Sequence, residues 1–522
     1  MAEVKTIILK KDEYISDSKE FNKRFKEAIR SRGSIIIKAG LGAGKTQFVL
    51  RDLVEKVLLV LLEKNDVKKE GVILILSNRD ALKKQMEKQY NLDSKYIELM
   101  NYQKLEADII KGNPPLNAKI IIADECHYFF CDSTFNKNSD VSLEEYLLKK
   151  GNDVRIFISA TPELFLKYIE KHHRGFFTHI FNIEKENGIT SNIYYFWSEK
   201  TVEDKIDEIW RNTNDKILLF CNNTKTNDRI VKKYKDKAVS ISADNKLNGQ
   251  SKKEFSYISN NERLRDETRL VASTSVLNNG ISIKNEIIKH IFILDFMDID
   301  DAVQCIGRKR LVSGDHIEIY IRIPHHDALS SEQNRIQAEL SVIDELKKIS
   351  TYDFTKKYSR KDNRIVYVDS DEEGKMFWAV NEVLKTKLDH QNTFITKVLS
   401  DYKEYLKEIT QKLGYTIEKI ECIEPNQSEK LKSELIKVFS EYEGRKLYSN
   451  KNTKEKSAIV YFVEAINKCE HIEEKITWKH TPDSRRIETM ITFLGLPFLF
   501  TRGIEKKRNG HRDETYWMIK NK

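Results

Sequence analysis

The sequence predicts an α/β chain of two parallel-sheet lobes in tandem, followed by a mostly helical C-terminal region. Three observations predict it. Eight short runs dense in Ile, Val, Leu and Phe fall in two series before residue 325, separated by longer stretches with helical patterning. Continuous apolar strands are what a parallel sheet covered on both faces requires. A glycine loop follows the first run, and two adjacent carboxylates end the third.

The first series is SIIIKAG (34–40), VILILS (72–77), KIIIADE (119–125) and VRIFISA (154–160). The second is KILLFCN (216–222), TRLVAST (268–274), HIFILDF (290–296) and HIEIYIRI (316–323). Between them EKENGITSN (184–192) is polar and contains glycine, which places a hinge there. At 522 residues the chain is too long for one core, and about one domain per 150 residues gives three or four units. The expected division is a first lobe over 1–190, a second over 191–325, a helical accessory region over 326–425 and a C-terminal domain over 426–522. The Lys- and Glu-rich helical patterns of 330–411 read as solvated faces. Near the end, 485–503 reads as a helix then an apolar strand, and 504–520 as a hairpin turning at Asn509-Gly510. That is the outline of a winged helix. Its basic tip holds Lys506, Lys507, Arg508, His511 and Arg512, with Tyr516 and Trp517 beside it.

Composition narrows the partners. A charged fraction of 33% with only 7 prolines argues against long disordered tracts, and a net charge of +9 leans toward a polyanion. Cys126, Cys131, Cys221, Cys305, Cys422 and Cys469 form no C-x-x-C pair, so they read as reduced thiols of a cytoplasmic protein rather than zinc ligands. The N-terminal residues lack the apolar run of a signal peptide, and no apolar stretch approaches a bilayer span.

The chemistry sits at strand ends. Ala39-Gly40-Leu41-Gly42-Ala43-Gly44-Lys45-Thr46 joins an apolar strand to a helical pattern. Glycines let such a loop turn its backbone N–H groups toward phosphates; Lys45 would neutralise the β- and γ-phosphates and Thr46 bind Mg²⁺. Asp124-Glu125-Cys126-His127 ends another strand, where Asp124 would hold Mg²⁺ and Glu125 orient and deprotonate a water. Ser159-Ala160-Thr161-Pro162 offers small hydroxyls that could hydrogen-bond across to the Asp124–His127 loop. In the second lobe, Ser273-Thr274-Ser275-Val276-Leu277-Asn278-Asn279-Gly280-Ile281-Ser282 offers hydroxyl and backbone groups to phosphates. Gln304-Cys305-Ile306-Gly307-Arg308-Lys309-Arg310 carries two arginines suited to reach a γ-phosphate.

In this order the segments resemble the motifs of superfamily 2 helicases with a DECH box. Ala39–Thr46 is similar to motif I, Asp124–His127 to motif II, Ser159–Thr161 to motif III, Ser273–Ser282 to motif V and Gln304–Arg310 to motif VI. Leu76–Leu82 is similar to motif Ia, Asn101-Tyr102-Gln103 to the contact segment after it, and Phe220–Asn223 to motif IV. The resemblance covers roughly residues 30–325. It implies two RecA-like lobes binding ATP and Mg²⁺ between them, with Lys45, Asp124, Glu125, Gln304, Arg308 and Arg310 in catalysis. It further implies ATP contacts from Gly40, Gly42, Gly44, Lys45, Thr46 and Gly280, and coupling through His127, Ser159 and Thr161. Asn78, Arg79, Tyr102, Asn222 and Thr274 are the implied nucleic-acid contacts; Lys507 and Arg508 join them from the hairpin tip. The sequence departs from the family in three places. Arg310 stands one residue earlier than the second motif VI arginine, Ser282 stands where motif V often has Asp, and no adenine-reading glutamine motif precedes Ser34.

The resemblance implies an ATP-dependent helicase or translocase, with DNA favoured over RNA because of the winged-helix outline. The alternative is an ATP-switched loader or remodelling factor that grips nucleic acid without separating strands. A protein partner would then engage the C-terminal region.

Overall fold

A computed structural model describes residues 3–10, 13–40, 43–45, 48–49, 73–77, 97–115, 118–149, 151, 154–185, 188–278, 282–361, 363–370 and 373–424. Beyond these it describes 432, 435–437, 439–448, 491, 495–505 and 514–521.

Two seven-stranded parallel sheets, one to each lobe, form the body of the chain. The first holds β1 (Glu3–Leu9), β2 (Ser34–Ala39), β3 (Ile73–Leu76), β4 (Ile97–Met100), β5 (Ile120–Asp124), β6 (Val154–Ser159) and β7 (His179–Lys185), in spatial order β1-β7-β2-β6-β5-β3-β4. The central strands bury nearly every residue because helices cover both faces. Helix α1 (Lys19–Arg30) shows how one face is covered. The hydroxyl of Ser18 accepts from the Phe21 N–H to start the helix. Phe21, Phe25, Ala28 and Ile29 then line a single stripe, and Phe21 sets its ring edge-on to Phe181 of β7, 5.4 Å between centroids. On the opposite face lie α2 (Tyr102–Ile110), α3 (Tyr128–Asp132) and α4 (Glu163–His172).

The chain enters the second sheet between Lys185 and Thr190, within the polar segment expected to be the hinge. This sheet holds β8 (Thr190–Phe196), β9 (Lys216–Cys221), β10 (Ala238–Ile241), β11 (Leu270–Ser273), β12 (Ile288–Leu294) and β13 (His316–Arg322), with α5 (Glu199–Asn212), α6 (Thr224–Tyr234), α7 (Gly249–Asn261) and α8 (Ile299–Ile306) between them. All eight expected strands are present. The sheets also contain strands that the apolar runs did not mark: β1, β4, β7, β8, β10 and one more from much later in the chain.

That last strand changes the picture of residues 326–425. The segment contains α9 (His326–Lys348), α10 (Thr351–Tyr358), the antiparallel hairpin β14 (Val366–Ser370) and β15 (Met376–Val380), α11 (Glu382–Ser400) and α12 (Lys403–Leu413). It then adds β16 (Thr416–Cys422) in parallel to β8, at the edge of the second sheet. Ile336, Ile343, Phe354, Leu384, Leu388 and Tyr405 share one hydrophobic core with Leu218, Phe220, Ile291 and Ile293 of the second sheet. The expected accessory region is therefore continuous with the second lobe: its apolar stripes are buried against that lobe. Past β16, the Glu424 carboxylate accepts from the backbone N–H groups of Trp197 and Ser198, at the start of α5.

At the C-terminus β17 (Leu447–Tyr448), β18 (Phe498–Glu505) and β19 (Glu514–Asn521) form an antiparallel sheet in the order β17-β19-β18. Glu505 pairs with Glu514, so Asn509-Gly510 falls midway along the connection. A Cβ on Gly503 would meet the Tyr516 ring at 2.4 Å, so only glycine admits that aromatic across the pair. The connection itself, with Lys506, Lys507, Arg508, His511 and Arg512, lies outside the described residues, as does nearly all of the helix expected before β18. No helix among the described residues is long and apolar enough to cross a membrane.

Candidate active site

The order β2-β6-β5 places the ends of three strands side by side, and each delivers one predicted segment. Lys38 of β2 pairs with Ser159 of β6, and Ile158 of β6 with Asp124 of β5.

Beyond β2, the Lys45 ammonium donates to the carbonyls of Ala39 (2.7 Å) and Gly40 (3.0 Å), which holds the loop closed on itself. Gly44 has φ +85°, and a Cβ there would stand 3.0 Å from the Tyr14 ring. Gly44→Ala should therefore cost about 1–2 kcal/mol for the left-handed backbone alone and push Tyr14 aside. Thermal melting alongside ATP titration checks it, with both stability and ATP affinity expected to fall. Gly40 is described; Gly42, Thr46 and Gly280 lie outside the described residues.

Tyr14, which sequence reasoning missed, packs against this loop. Ile15 donates its N–H to the Ala43 carbonyl (3.2 Å), which brings Tyr14 against the loop. The ring is 50% exposed, with the Lys185 ammonium 4.2 Å from its centroid. The one signal for it is a single aromatic, beside Ile15, in the otherwise polar run KKDEYISDSKE.

At the end of β5, Asp124 and Glu125 are both buried. Glu125 has φ +55°, a conformation that costs a non-glycine residue on the order of 1 kcal/mol and concentrates at working sites. The turn is pinned by Cys126 N–H to the Ile158 carbonyl (3.0 Å) and Tyr128 N–H to the Glu125 carbonyl (2.8 Å). Burial, followed by the two adjacent carboxylates, raises the Cys126 thiol well above its usual range, so it stays neutral. Tyr102 corrects an expectation. It is 1% exposed, stacks on Tyr128 and donates its hydroxyl to the Asp124 carbonyl at 2.7 Å. An enclosed side chain has no face for nucleic acid; it supports the carboxylate turn from below.

His127 links the two lobes. Its Nε2 lies 2.8 Å from Gln304 Nε2 of the second lobe, and its Nδ1 lies 3.0 Å from Ser159 Oγ and 3.5 Å from a Glu125 carboxylate oxygen. The Gln304 amide nitrogen can only donate, so His127 Nε2 is the acceptor and Nδ1 carries the proton it donates to Ser159. Ser159 Oγ also accepts the Thr161 N–H (3.1 Å). A continuous hydrogen-bonded chain thus runs from Thr161 through Ser159 and His127 to Gln304.

Gln304 lies on α8, whose start is acidic. Asp298 caps the helix by accepting from the Asp300 N–H (2.9 Å). Burial, then the Asp298 carboxylate, pushes Asp301 up to about 7. A folded-state value above the unfolded one means that this stability is fully present below about pH 4 and is lost as pH rises through about 7. The melting advantage of Asp301→Asn over the wild type should vanish below about pH 4 and grow by roughly 2–4 °C between pH 5 and pH 8; parallel melting curves at the two pH values check it.

After α8, Arg308 is 6% exposed, and Ile283 joins its neighbours as a short parallel bridge. The Ile283 N–H donates to the Arg308 carbonyl and the Arg310 N–H donates to the Ile283 carbonyl, both at 2.8 Å. Arg310 Nε donates to Ser282 Oγ at 2.9 Å. On the same edge, Asn222 Oδ1 accepts from the Ser275 N–H (3.0 Å), and Thr274 Oγ1 from the Val276 N–H (3.4 Å), placing Asn222 and Thr274 together. Asn78, Arg79, Lys507 and Arg508 lie outside the described residues.

Among the described residues no group of three or more His, Cys, Asp or Glu is arranged to hold a metal ion. A single buried Asp124 suits Mg²⁺, which is usually bound by one or two carboxylates together with substrate phosphates.

No protein-family model and no curated protein matches the chain. Among solved structures it is similar to a DEAD box protein from the hyperthermophile Methanococcus jannaschii, at 17% identity over 56% of this chain and 83% of that one, TM-score 0.34. It is also similar to S. cerevisiae Dbp5 bound to RNA and ADP BeF3, at 14% identity over 57% and 82%, TM-score 0.40. A third is the Mycobacterium smegmatis helicase Lhr bound to ssDNA and AMP-PNP, at 11% identity over 73% and 62%, TM-score 0.40.

Proposed function

We propose that the chain is an ATP-dependent nucleic-acid helicase or translocase of the superfamily 2 kind, with its hydrolytic site between the lobes. The observation that carries this reading is the 2.8 Å contact between His127 and Gln304. It joins the segment holding both carboxylates to the helix that leads to both arginines. An enzyme that hydrolyses ATP only when two lobes close needs such a link, because both halves of the charge-stabilising machinery must arrive together.

In this reading Lys45 leaves its loop carbonyls for the β- and γ-phosphates, and Tyr14 offers its ring to the base. Glu125 takes the proton of the attacking water. Arg308 neutralises charge on the transferring phosphoryl group, and Arg310 is held in reserve on Ser282. Mg²⁺, held by Asp124 with Thr46, would draw charge from the phosphate oxygens. Asn222 and Thr274 line the edge where nucleic-acid phosphates would run, and Lys507 and Arg508 add a second basic contact. DNA is the favoured polymer, on the outline of a basic hairpin at the C-terminus.

The second reading is an ATP-switched loader that grips without separating strands. The Arg310–Ser282 bond favours it, since an arginine tied to its own lobe leaves one finger for the phosphates. The test is ATP turnover by wild type and Glu125→Gln with no polymer, single-stranded DNA, duplex DNA or single-stranded RNA, followed by strand separation on a labelled duplex. Stimulation by one polymer, lost in Glu125→Gln, is the expected result. Stimulation without strand separation or movement selects the loader, and turnover indifferent to every polymer sinks both.

A further inference from the structure

Helix α11 belongs to both lobes. Its N-cap, Asn381, accepts from the Leu384 N–H (2.9 Å) and donates its amide to the Lys137 carbonyl of the first lobe (3.3 Å). Val383 enters the first-lobe core, while Leu384 and Leu388 enter the core of the second. The helix packs on α3, which begins directly after His127, and on α4, which begins two residues after Thr161.

One turn further along, Lys387 is 5% exposed, with its ammonium 3.1 Å from the Asp298 carboxylate that caps α8. Lys412 of α12 adds a second cation, 2.5 Å from Asp300 on the first turn of α8. Two lysines from consecutive accessory helices therefore grip the start of the helix that presents Gln304 to His127 and leads to Arg308. Burial works against the Lys387 charge, but the Asp298 carboxylate faces it and holds it charged, with the Cys131 thiol of α3 and the Asp301 carboxyl also turned toward it.

A buried ion pair is a poor source of stability, because desolvation consumes most of the attraction and an apolar pair of similar size is often as good. What it supplies is a fixed position. We propose that Lys387 is a positioning residue for ATP hydrolysis: through Asp298 it sets where α8 stands relative to the Asp124–His127 turn, so the accessory helices govern the turnover rate. The inference rests on the hydrolytic reading of the inter-lobe site and deepens it.

The test compares full-length wild type, Lys387→Met, Lys387→Arg and the double variant Lys387→Met/Asp298→Asn. ATP turnover is followed across ATP concentrations at saturating polymer, with melting curves in parallel and Glu125→Gln as background. Asparagine keeps the N-cap while removing the charge, so the double variant leaves that pair without an uncompensated ion. Lys387→Met should lower kcat about tenfold or more with KM for ATP within about twofold, the signature of misplaced machinery rather than lost binding. Lys387→Arg should restore most of the rate. The double variant should melt as high as wild type and remain slow. If Lys387→Met fails to fold, the double variant carries the comparison. Recovery of wild-type kcat in the double variant, or an unchanged kcat in folded Lys387→Met, overturns the proposal while leaving the hydrolytic reading intact. Absence of Glu125-dependent turnover in wild type is a different result and overturns the hydrolytic reading itself.

Discussion

Glu125→Gln should lower polymer-stimulated ATP turnover by about 10²–10⁴-fold while leaving ATP binding in place. The substitution is close to isosteric, so the left-handed backbone at φ +55° and the hydrogen bonds that pin the turn are kept. What is lost is an oxygen able to accept a proton. The carboxylate sits buried at the end of β5, close to His127 and away from bulk water, where one anion has a large effect on a bound water. A melting temperature within a few degrees of wild type, together with a collapsed kcat and nearly constant KM, would mark the loss as chemical. Turnover within about threefold of wild type would show that another group activates the water.

Arg308→Ala should be the second severe variant, with a loss of about 10³–10⁵-fold, the scale seen when other nucleotide hydrolases lose an arginine finger. Arg310→Ala should cost far less, about tenfold, because its guanidinium is already engaged by Ser282 and its removal loosens the Ser282–Ile283 segment rather than stripping a charge from the phosphates. Arg308→Lys should not rescue, since a point charge lacks the planar fork. Single-turnover rates of the three proteins decide the assignment. A larger loss in Arg310→Ala would make Arg310 the finger and turn the Ser282 bond into a resting state that closure must break.

How legible these features were in the sequence follows the physics of burial. Central strands such as Ile120–Asp124 and Val154–Ser159 are enclosed on both faces and so become continuous apolar words. The strands that escaped notice lie at sheet edges or carry polar faces: Thr190–Phe196 begins with three polar residues, Thr416–Cys422 intersperses two Glu and a Lys among its apolar residues, and Ile97–Met100 is four residues long. Site segments were readable because phosphate chemistry demands particular residue types at strand ends. Contacts made across the fold were not. Tyr102 has the composition of a surface contact, yet its hydroxyl turns inward to a backbone carbonyl. Lys387 and Lys412 sit in helices whose Lys- and Glu-rich pattern reads as solvated, and only the packing of α11 and α12 against α8 encloses them.

Strand β16 has a consequence for how this chain could have evolved. A lobe whose last edge strand lies about a hundred residues beyond its last motif cannot be exchanged between proteins as a cassette cut at that motif. A transplant ending near residue 325 would carry an open β8 edge and part of a shared core, and would leave behind Glu424, the carboxylate that holds the backbone entering α5. The heritable unit runs through Glu424. Within it, the accessory helices and the second lobe must vary together, since a substitution on either side of their common core is felt by both.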